Sequence, residues 1–407
     1  MAGPLTGYRV LDMSRVLAGP WAGQLLADLG ADVIKVERPK VGDDTRHWGP
    51  PYLKDATGAD TEDAAYFFSA NRGKRSLTVD ITQPEGQDII RKLASKVDVL
   101  IENYKVGGLA KYGLDYSSLE KLNPKLVYCS ITGFGQTGPY AQRPGYDFLI
   151  QGMAGLMSVT GEPDSQNGGG PTKVGVAVTD IFTGLYAANA IQGALLERHH
   201  SGMGQYIDLA LLDVQAAVMA NQASNYLIGG QIPGRLGNAH PNIVPYQAFT
   251  TLDSHVIVAV GNDQQFQRFC KAIGEPKWAD DQRYATNTAR VNNRVTLCGQ
   301  ITKHLKQQTS QYWLSKFEDH AVPCGPINTI DQVFDDPQIQ SRNMVLTMQD
   351  PRAGELKLVA NPINYSRSQI EYHLAPPQLG NQTIEILQEY LEYAETTVKV
   401  LKSNDVI

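Results

Sequence analysis

Asp180 is the lone acid in the run "VGVAVTDIFTGLYAAN" (Val174–Asn189), where every neighbour is apolar, small or hydroxyl-bearing. Burying a carboxylate there costs free energy unless something offsets it. Two readings are open from these residues. Val174–Val178 reads as a short buried strand and Ile181–Glu197 as a helix, so Asp180 could be a helix N-cap that satisfies an orphan N–H. The sharper reading is a nucleophile or base at the carboxyl end of a strand, where open α/β sheets place their ligand crevices.

Arg38, in "VERP", follows a strand-like segment and could pair with a phosphate or stack on an adenine ring, or be a surface arginine. "NRGKRS" adds Arg72, Lys74 and Arg75; "NYK" (Asn103–Lys105) and Lys111 come later, all close to strand ends. Together they could form a local basic pocket. His240, in "GNAHPN", is either an acid–base group or a loop histidine with structural hydrogen bonds. "GFGQTG" (Gly133–Gly138) matches a dinucleotide fingerprint, but Pro139 and Tyr140 stand where its helix should begin. A glycine-rich turn lying close to another group is the better reading. No Ser-His-Asp or Cys-His arrangement can be assembled.

The elements that must position these groups follow from composition and periodicity. A chain of 407 residues exceeds what one core usually serves. The net charge of −6, with both signs interspersed, provides no basic stripe for nucleic acid. No stretch approaches the roughly 20 apolar residues of a membrane span. The N-terminus enters a strand pattern with no signal peptide. The four cysteines show no CxxC spacing, which argues against a zinc site or a disulfide framework and suits a cytoplasmic location.

Strand signals over Tyr8–Ser14, Ala31–Pro39, Ser76–Ile81, Asp98–Tyr104 and Lys125–Thr132 alternate with helical ones over Ala18–Gly30 and Pro84–Val97. Repeated βα units predict an α/β fold with a doubly wound, mostly parallel sheet. Composition shifts near the Gly-, Pro- and Asn-rich "GRLGNAHPNIVPYQAF" (Gly234–Phe249), followed by a strand at His255–Gly261 and a helix at Asp263–Gly274. The expected division is a large domain from 1–229, a smaller α+β domain from 230–322, and a linker and return to the large domain from 323–407. "VPCGPINT" (Val322–Thr329) reads as the linker.

Taken in order, the stretches "GYRVLDMSRVLAGP", "LADLGADVIKVERPKVGDDTR", "NRGKRSLTVD", "DVLIENYKVGGLAKYGL", "NPKLVYCSITGFGQTGPY", "GYDFLIQGMAGLMSVTG" and "VAVTDIFTGLYAANAIQGALLER" resemble the family III CoA-transferases, the CaiB/BaiF group. That group includes formyl-CoA:oxalate and carnitine CoA-transferases and is related to α-methylacyl-CoA racemases. The resemblance implies a Rossmann-like large domain, a smaller domain and an interlocked homodimer. It implies acyl-CoA and a small carboxylic acid as substrates, with no metal or redox cofactor, no nucleic acid and no membrane.

The same resemblance makes Asp180 the nucleophile. It places Val16, Leu17, Ala18, Arg38, Val79, Asp80, Ile81, Thr82, Asn103, Tyr104, Lys105 and Lys111 along coenzyme A. "RPGYDFLIQ" (Arg143–Gln151) adds Arg143 and Tyr146, and the "GNAHPN" loop adds Asn238 and His240 beside the acid substrate. That loop lacks the glycine run of formyl-CoA:oxalate enzymes and looks like members acting on dicarboxylic acids such as succinate or glutarate; others with similar loops use acetyl-CoA and oxalate. Racemases of this fold carry histidine where Tyr146 stands, and a phenol is the poorer base at neutral pH. The implied chemistry is a mixed anhydride and then a CoA thioester on Asp180. Asp180 must be ionised for this, so its helix N-terminus is expected to keep it charged against burial. Gly175, Gly184 and the Gly133–Gly138 loop are candidate neighbours of the oxyanion.

Overall fold

A computed structural model of the protein describes residues 2–407. It divides into two compact units. Among the described residues the larger holds 2–156, 174–223 and 338–407, and the smaller holds 157–173 and 224–337. The smaller unit therefore begins with a segment well before residue 230, and it runs on past 322.

The larger unit is built on six strands: β1 (Arg9–Asp12), β2 (Asp32–Glu37), β3 (Lys74–Thr78), β4 (Val99–Glu102), β5 (Val127–Thr132) and β6 (Tyr206–Ala210). Their order is β3-β2-β1-β4-β5-β6, and every pairing is parallel. This is the doubly wound nucleotide-binding order, which reverses direction between β1 and β4. Both faces are covered, so the inner strands are buried almost throughout rather than on alternate residues. Val99, Leu100 and Ile101 of β4 are all fully buried.

On one face Val10, Val99, Ile101 and Val127 pack under α1 (Ala18–Asp28) and the later part of α4 (Val178–Ser201), through Ala22, Leu26, Ala187 and Ile191. On the other, Leu11, Ile34, Leu77 and Leu100 pack under α2 (Pro84–Ala94) and helix Thr383–Leu391. A further short helix, α3 (Asp147–Met153), lies between β5 and α4 in the chain.

In the smaller unit β7 (Tyr246–Thr250), β8 (His255–Ala259) and β9 (Cys324–Gly325) form an antiparallel sheet in the order β9-β8-β7. Phe249, Val256 and Val258 of that sheet share a core with Phe266, Leu297 and Phe317. "VPCGPINT" is thus not a linker. Cys324 pairs with Val258, and Gly325 with Ile257.

A candidate active site at the sheet's switch point

The point where strand order reverses is where such sheets leave an open crevice at their carboxyl ends. Here one pocket of the larger unit is lined by Arg15–Ala18 after β1, Asn103–Val106 after β4, Thr132 and Gly133 after β5, Ala141–Tyr146 before α3, and Asp180 of α4. The structure thereby brings Val16, Leu17, Ala18, Asn103, Tyr104, Lys105, Arg143 and Tyr146 around Asp180. It adds Arg15 and Asp44, which had no role in the sequence reading. Arg15, Lys105 and Arg143 give this pocket three cations against the carboxylates of Asp44 and Asp180.

Asp180 is not the helix cap. Val174–Ala177 is irregular rather than a strand, α4 begins at Val178, and its N-cap is Ala177, which supplies no side-chain bond. Asp147 does the capping from α3. Its Oδ1 accepts the N–H of Thr179 at 2.8 Å and that of Asp180 at 3.4 Å. Its Oδ2 accepts from Gln151 at 2.7 Å, and the Gln151 carbonyl oxygen accepts the Val174 N–H at 2.9 Å. A carboxylate one helix away thus satisfies the orphan amides of this first turn. Asp180 is left at the third helical position with no hydrogen bond or ion pair to its carboxylate among the described residues.

Burial, and after it the Asp147 charge, push Asp180 up to about 7. The expectation that the helix N-terminus would hold it low is corrected: desolvation and a like charge outweigh the dipole. Tyr66 is pushed up to about 12, by burial and then by the same Asp180 charge, which places it near the carboxylate without its having been singled out in the sequence.

Gly184 fixes the height of Asp180 over α1. Residues four apart lie on one helix face, and a Cβ on Gly184 would fall 2.7 Å from the Ala18 carbonyl oxygen and 2.9 Å from Trp21 Cβ. The glycine therefore serves close packing of α4 on α1, not an oxyanion. Gly133 has a similar function: a Cβ there would lie 2.6 Å from Gly145 Cα, so the two backbones touch and the Arg143–Tyr146 segment is drawn against the end of β5. Gly175 is exposed.

The other predicted positions divide. The Asn103 amide is engaged in a reciprocal bridge, accepting the Arg15 N–H at 2.9 Å and donating to the Arg15 carbonyl at 2.7 Å. It joins the loops after β1 and β4. Tyr146 is well exposed at the N-cap of α3. Arg143 stacks over Tyr140 and Phe134, at 4.6 and 5.4 Å.

Arg38, Val79–Thr82 and Lys111 do not line this pocket. Arg38 is exposed just past β2. Val79 is buried in the core beyond β3, while Asp80 accepts the N–H and hydroxyl of Thr82 at 2.9 and 2.7 Å. Lys111 lies over the Tyr112 ring at 4.6 Å.

The "NRGKRS" cations are not a basic pocket. Arg72 is paired with Asp28, Lys74 with Asp12, and Arg75 with Asp32, Glu385 and Glu389. Asn238 and His240 belong to the smaller unit. His240 Nδ1 accepts the Asn242 N–H at 3.1 Å, which leaves Nε2 as the protonated nitrogen of the neutral ring. Burial, then the Arg294 charge, lower its pKa. Among the described residues no cluster of three or more metal-type ligands is found, and no helix is long and apolar enough to cross a membrane.

A doubly wound sheet with an unpaired, partly desolvated carboxylate at its switch point defines a class: an α/β protein with a candidate reactive carboxylate in its ligand crevice. Its family is then specified by sequence. The profile of CoA-transferase family III matches residues 5–383, and the chain belongs to that family and is a CoA-transferase. It is 54% identical over 394 residues to the succinate–glutarate CoA-transferase of Agrobacterium fabrum, covering 97% of both chains. It is 43% identical over 404 residues to the succinyl-CoA:glutarate CoA-transferase of Homo sapiens, covering 99% of this chain and 90% of that one. A crystal structure of a CaiB/BaiF family protein from Brucella suis superposes with a TM-score of 0.83 at 49% identity, covering 96% of this chain and 100% of that one.

Proposed function

We propose that the protein moves CoA from an acyl-CoA, succinyl-CoA foremost, to a free dicarboxylic acid such as glutarate, with Asp180 as the covalent relay. The observation that carries this is the Asp180 carboxylate, free of hydrogen bonds and ion pairs among the described residues, at the switch-point pocket. The names of the two relatives supply the substrate class.

The Asp180 carboxylate attacks the thioester carbonyl, the C–S bond breaks, and CoA leaves as thiolate from a mixed anhydride. The thiolate then attacks the aspartyl carbonyl and releases the donor's acid, leaving CoA as a thioester on Asp180. The acceptor carboxylate attacks that thioester, and thiolate returns to the new acyl group to regenerate Asp180. Each step exchanges activated acyl groups of similar energy, so one difficult transfer becomes several easier ones. The N-terminal amides of α1 at Leu17 and Ala18 are the groups best placed to stabilise the oxyanion, since α1 has no side-chain cap.

Val16–Ala18, Asn103–Lys105, Arg143 and Tyr146 would take the pantetheine end of coenzyme A. Arg38, Val79–Thr82 and Lys111 would lie farther out towards its nucleotide. Asn238 and His240 would meet the acid substrate. With Tyr146 in place of a histidine, the racemase alternative lacks its second base.

The working form would be an interlocked homodimer. Phe148, Leu149 and Met153 of α3 and Phe182, Leu185 and Tyr186 of α4 are all exposed in the single chain, an apolar surface of the kind that a second copy covers. Four free thiols suit a reducing cytoplasm.

The test is incubation with succinyl-CoA and glutarate, followed by mass spectrometry of the CoA products and of a hydroxylamine-trapped Asp180. Absence of glutaryl-CoA, or a label elsewhere, would overturn the reading.

A further inference from the structure

Val16 has φ at 71°. β-Branched residues rarely enter this left-handed region, and a residue held there needs surrounding structure to over-determine it. Val16 also lines the same pocket as Asp180.

What holds Val16 is a buried carboxylate. Its N–H donates to both oxygens of Asp43, at 3.3 and 3.2 Å. Asp43 pairs with Lys35 of β2 at 2.8 Å, and neither side chain has any exposed surface. Lys35 Nζ donates in addition to the Ser14 carbonyl at 3.1 Å. The N–H and hydroxyl of Thr45 fix the same Asp43 oxygen at 3.0 and 2.8 Å. Two successive turns of the loop after β1, at Ser14 and at Val16, are thus tied to one ion pair.

Packing alone gives no reason for that pair. Lys35 occupies a strand position flanked by Ile34 and Val36, and apolar residues usually serve a sheet interior as well as, or better than, a buried pair. Its distinguishing feature is the backbone that it grips.

We propose that Asp43, backed by Lys35, is a positioning residue: it holds the Val16 peptide in the left-handed conformation and so sets where Leu17 and Ala18, at the start of α1, stand relative to Asp180. The proposal rests on the transferase reading of the pocket. Asp43 touches no reacting atom and acts only through this loop.

The experiment is a double-mutant comparison on the full chain with succinyl-CoA and glutarate. Asp43→Asn should lower kcat by about a hundred-fold while KM for succinyl-CoA moves by less than about threefold, as expected when reacting groups shift by an ångström or so. Glycine adopts positive φ without help. In a Val16→Gly background the same Asp43→Asn change should therefore cost only about tenfold or less. An equal loss in both backgrounds, or an unchanged kcat in Asp43→Asn, would overturn the proposal. General destabilisation would not distinguish the two backgrounds. If Asp43→Asn does not fold, Lys35→Met/Asp43→Asn removes both buried charges, and the comparison is made from that variant.

Amide hydrogen exchange on the wild-type protein provides a second test that needs no variant. The Val16 N–H should exchange as slowly as the sheet amides, and exchange at the rate of an open loop would overturn the proposal. A wild-type protein without transferase activity would refute the transferase reading instead, and the exchange result would still decide the grip of Asp43 on Val16.

Discussion

Asp147 holds the first turn of α4 by the backbone and at the same time opposes the charge on its third residue, Asp180: it accepts the Asp180 N–H at 3.4 Å and helps raise that residue's pKa. One carboxylate therefore positions the nucleophile and weakens its ionisation. The two effects separate in Asp147→Asn, since asparagine caps a helix about as well as aspartate but carries no charge. The acidic limb of the kcat/KM profile should move to lower pH in Asp147→Asn, with a fall in melting temperature no larger than loss of the one Gln151 hydrogen bond, which the asparagine NH2 cannot accept, would cause. A limb that stays in place would show that burial alone sets the Asp180 pKa.

The nucleophile must be ionised, and its pKa in the free protein is about 7. Turnover at limiting acyl-CoA should rise with pH through that value and level off above it. Below it, activity should fall about tenfold per pH unit, as required for one essential deprotonation. Asp180→Asn should reduce transfer by at least about a thousand-fold at any pH, the scale on which loss of a covalent nucleophile is felt. The same variant should still bind CoA in calorimetry.

Stability should move the opposite way to activity. Asp180 has a folded pKa near 7, above its ordinary 3.8. Between these values the folded chain holds a proton that the unfolded chain has lost, so stability declines as pH rises from about 4 to about 7. Above pH 7 the folded protein keeps an ionised carboxylate in a poorly solvated place. Asp180→Asn removes that penalty and should stabilise the free protein at pH 8 by of the order of 2 kcal/mol, discounted for the partial exposure of the site. Urea midpoints at pH 5 and pH 8 check this: the gain should be larger at pH 8.

How much of this was legible in the sequence depends on which interactions are local. β1, β2, β4 and β5 announce themselves through buried apolar residues between turn signals, and β3 (KRSLT) only through Leu77 and the apolar residues that follow it. β6 gave no such signal, because YIDLA alternates exposed with part-buried residues, with Tyr206 exposed and Asp208 accepting the Gln136 N–H at 3.1 Å. Asp180 stood out as the lone acid in an apolar run. The capping alternative for it fails because the residue that caps α4, Asp147, lies 33 residues earlier. Lys74 and Arg72 looked like parts of a basic pocket for a related reason: their partners Asp12 and Asp28 are 62 and 44 residues distant. A cation's role is set by partners that only the fold brings to it.

Arg38 is the exposed cation at the end of β2, and no carboxylate forms an ion pair with it among the described residues; the Asp80 carboxyl is held low, against burial, mainly by its Thr82 hydrogen bonds and only in small part by the Arg38 charge. If it meets a CoA phosphate, Arg38→Ala loses a charge-assisted bond worth about 1.5–3 kcal/mol, or roughly ten- to a hundred-fold in affinity. Calorimetry with free CoA should show that loss, with kcat at saturating acyl-CoA nearly unchanged. Full affinity in the variant would make Arg38 a surface residue.

Gly184→Ala pits two effects against each other. Replacing a helix-interior glycine with alanine ordinarily stabilises a helix by about 1 kcal/mol. Here the added methyl would stand 2.7 Å from the Ala18 carbonyl oxygen and 2.9 and 3.0 Å from Trp21 carbons. The first of these is backbone at the start of α1 and cannot swing away as a flexible side chain would. Relief requires α4 and α1 to separate, and overpacking of this kind costs about 1–3 kcal/mol. The clash should therefore outweigh the propensity gain, leaving the variant folded but less stable. Separation also moves Asp180 away from Leu17 and Ala18, one turn below, where misplacement by an ångström can cost about a hundred-fold in rate. Gly184→Ala should thus lose far more kcat than its fall in melting temperature suggests, while its affinity for free CoA changes little. A variant that gains stability and keeps wild-type kcat would show that the α1–α4 contact does not set the geometry of the nucleophile.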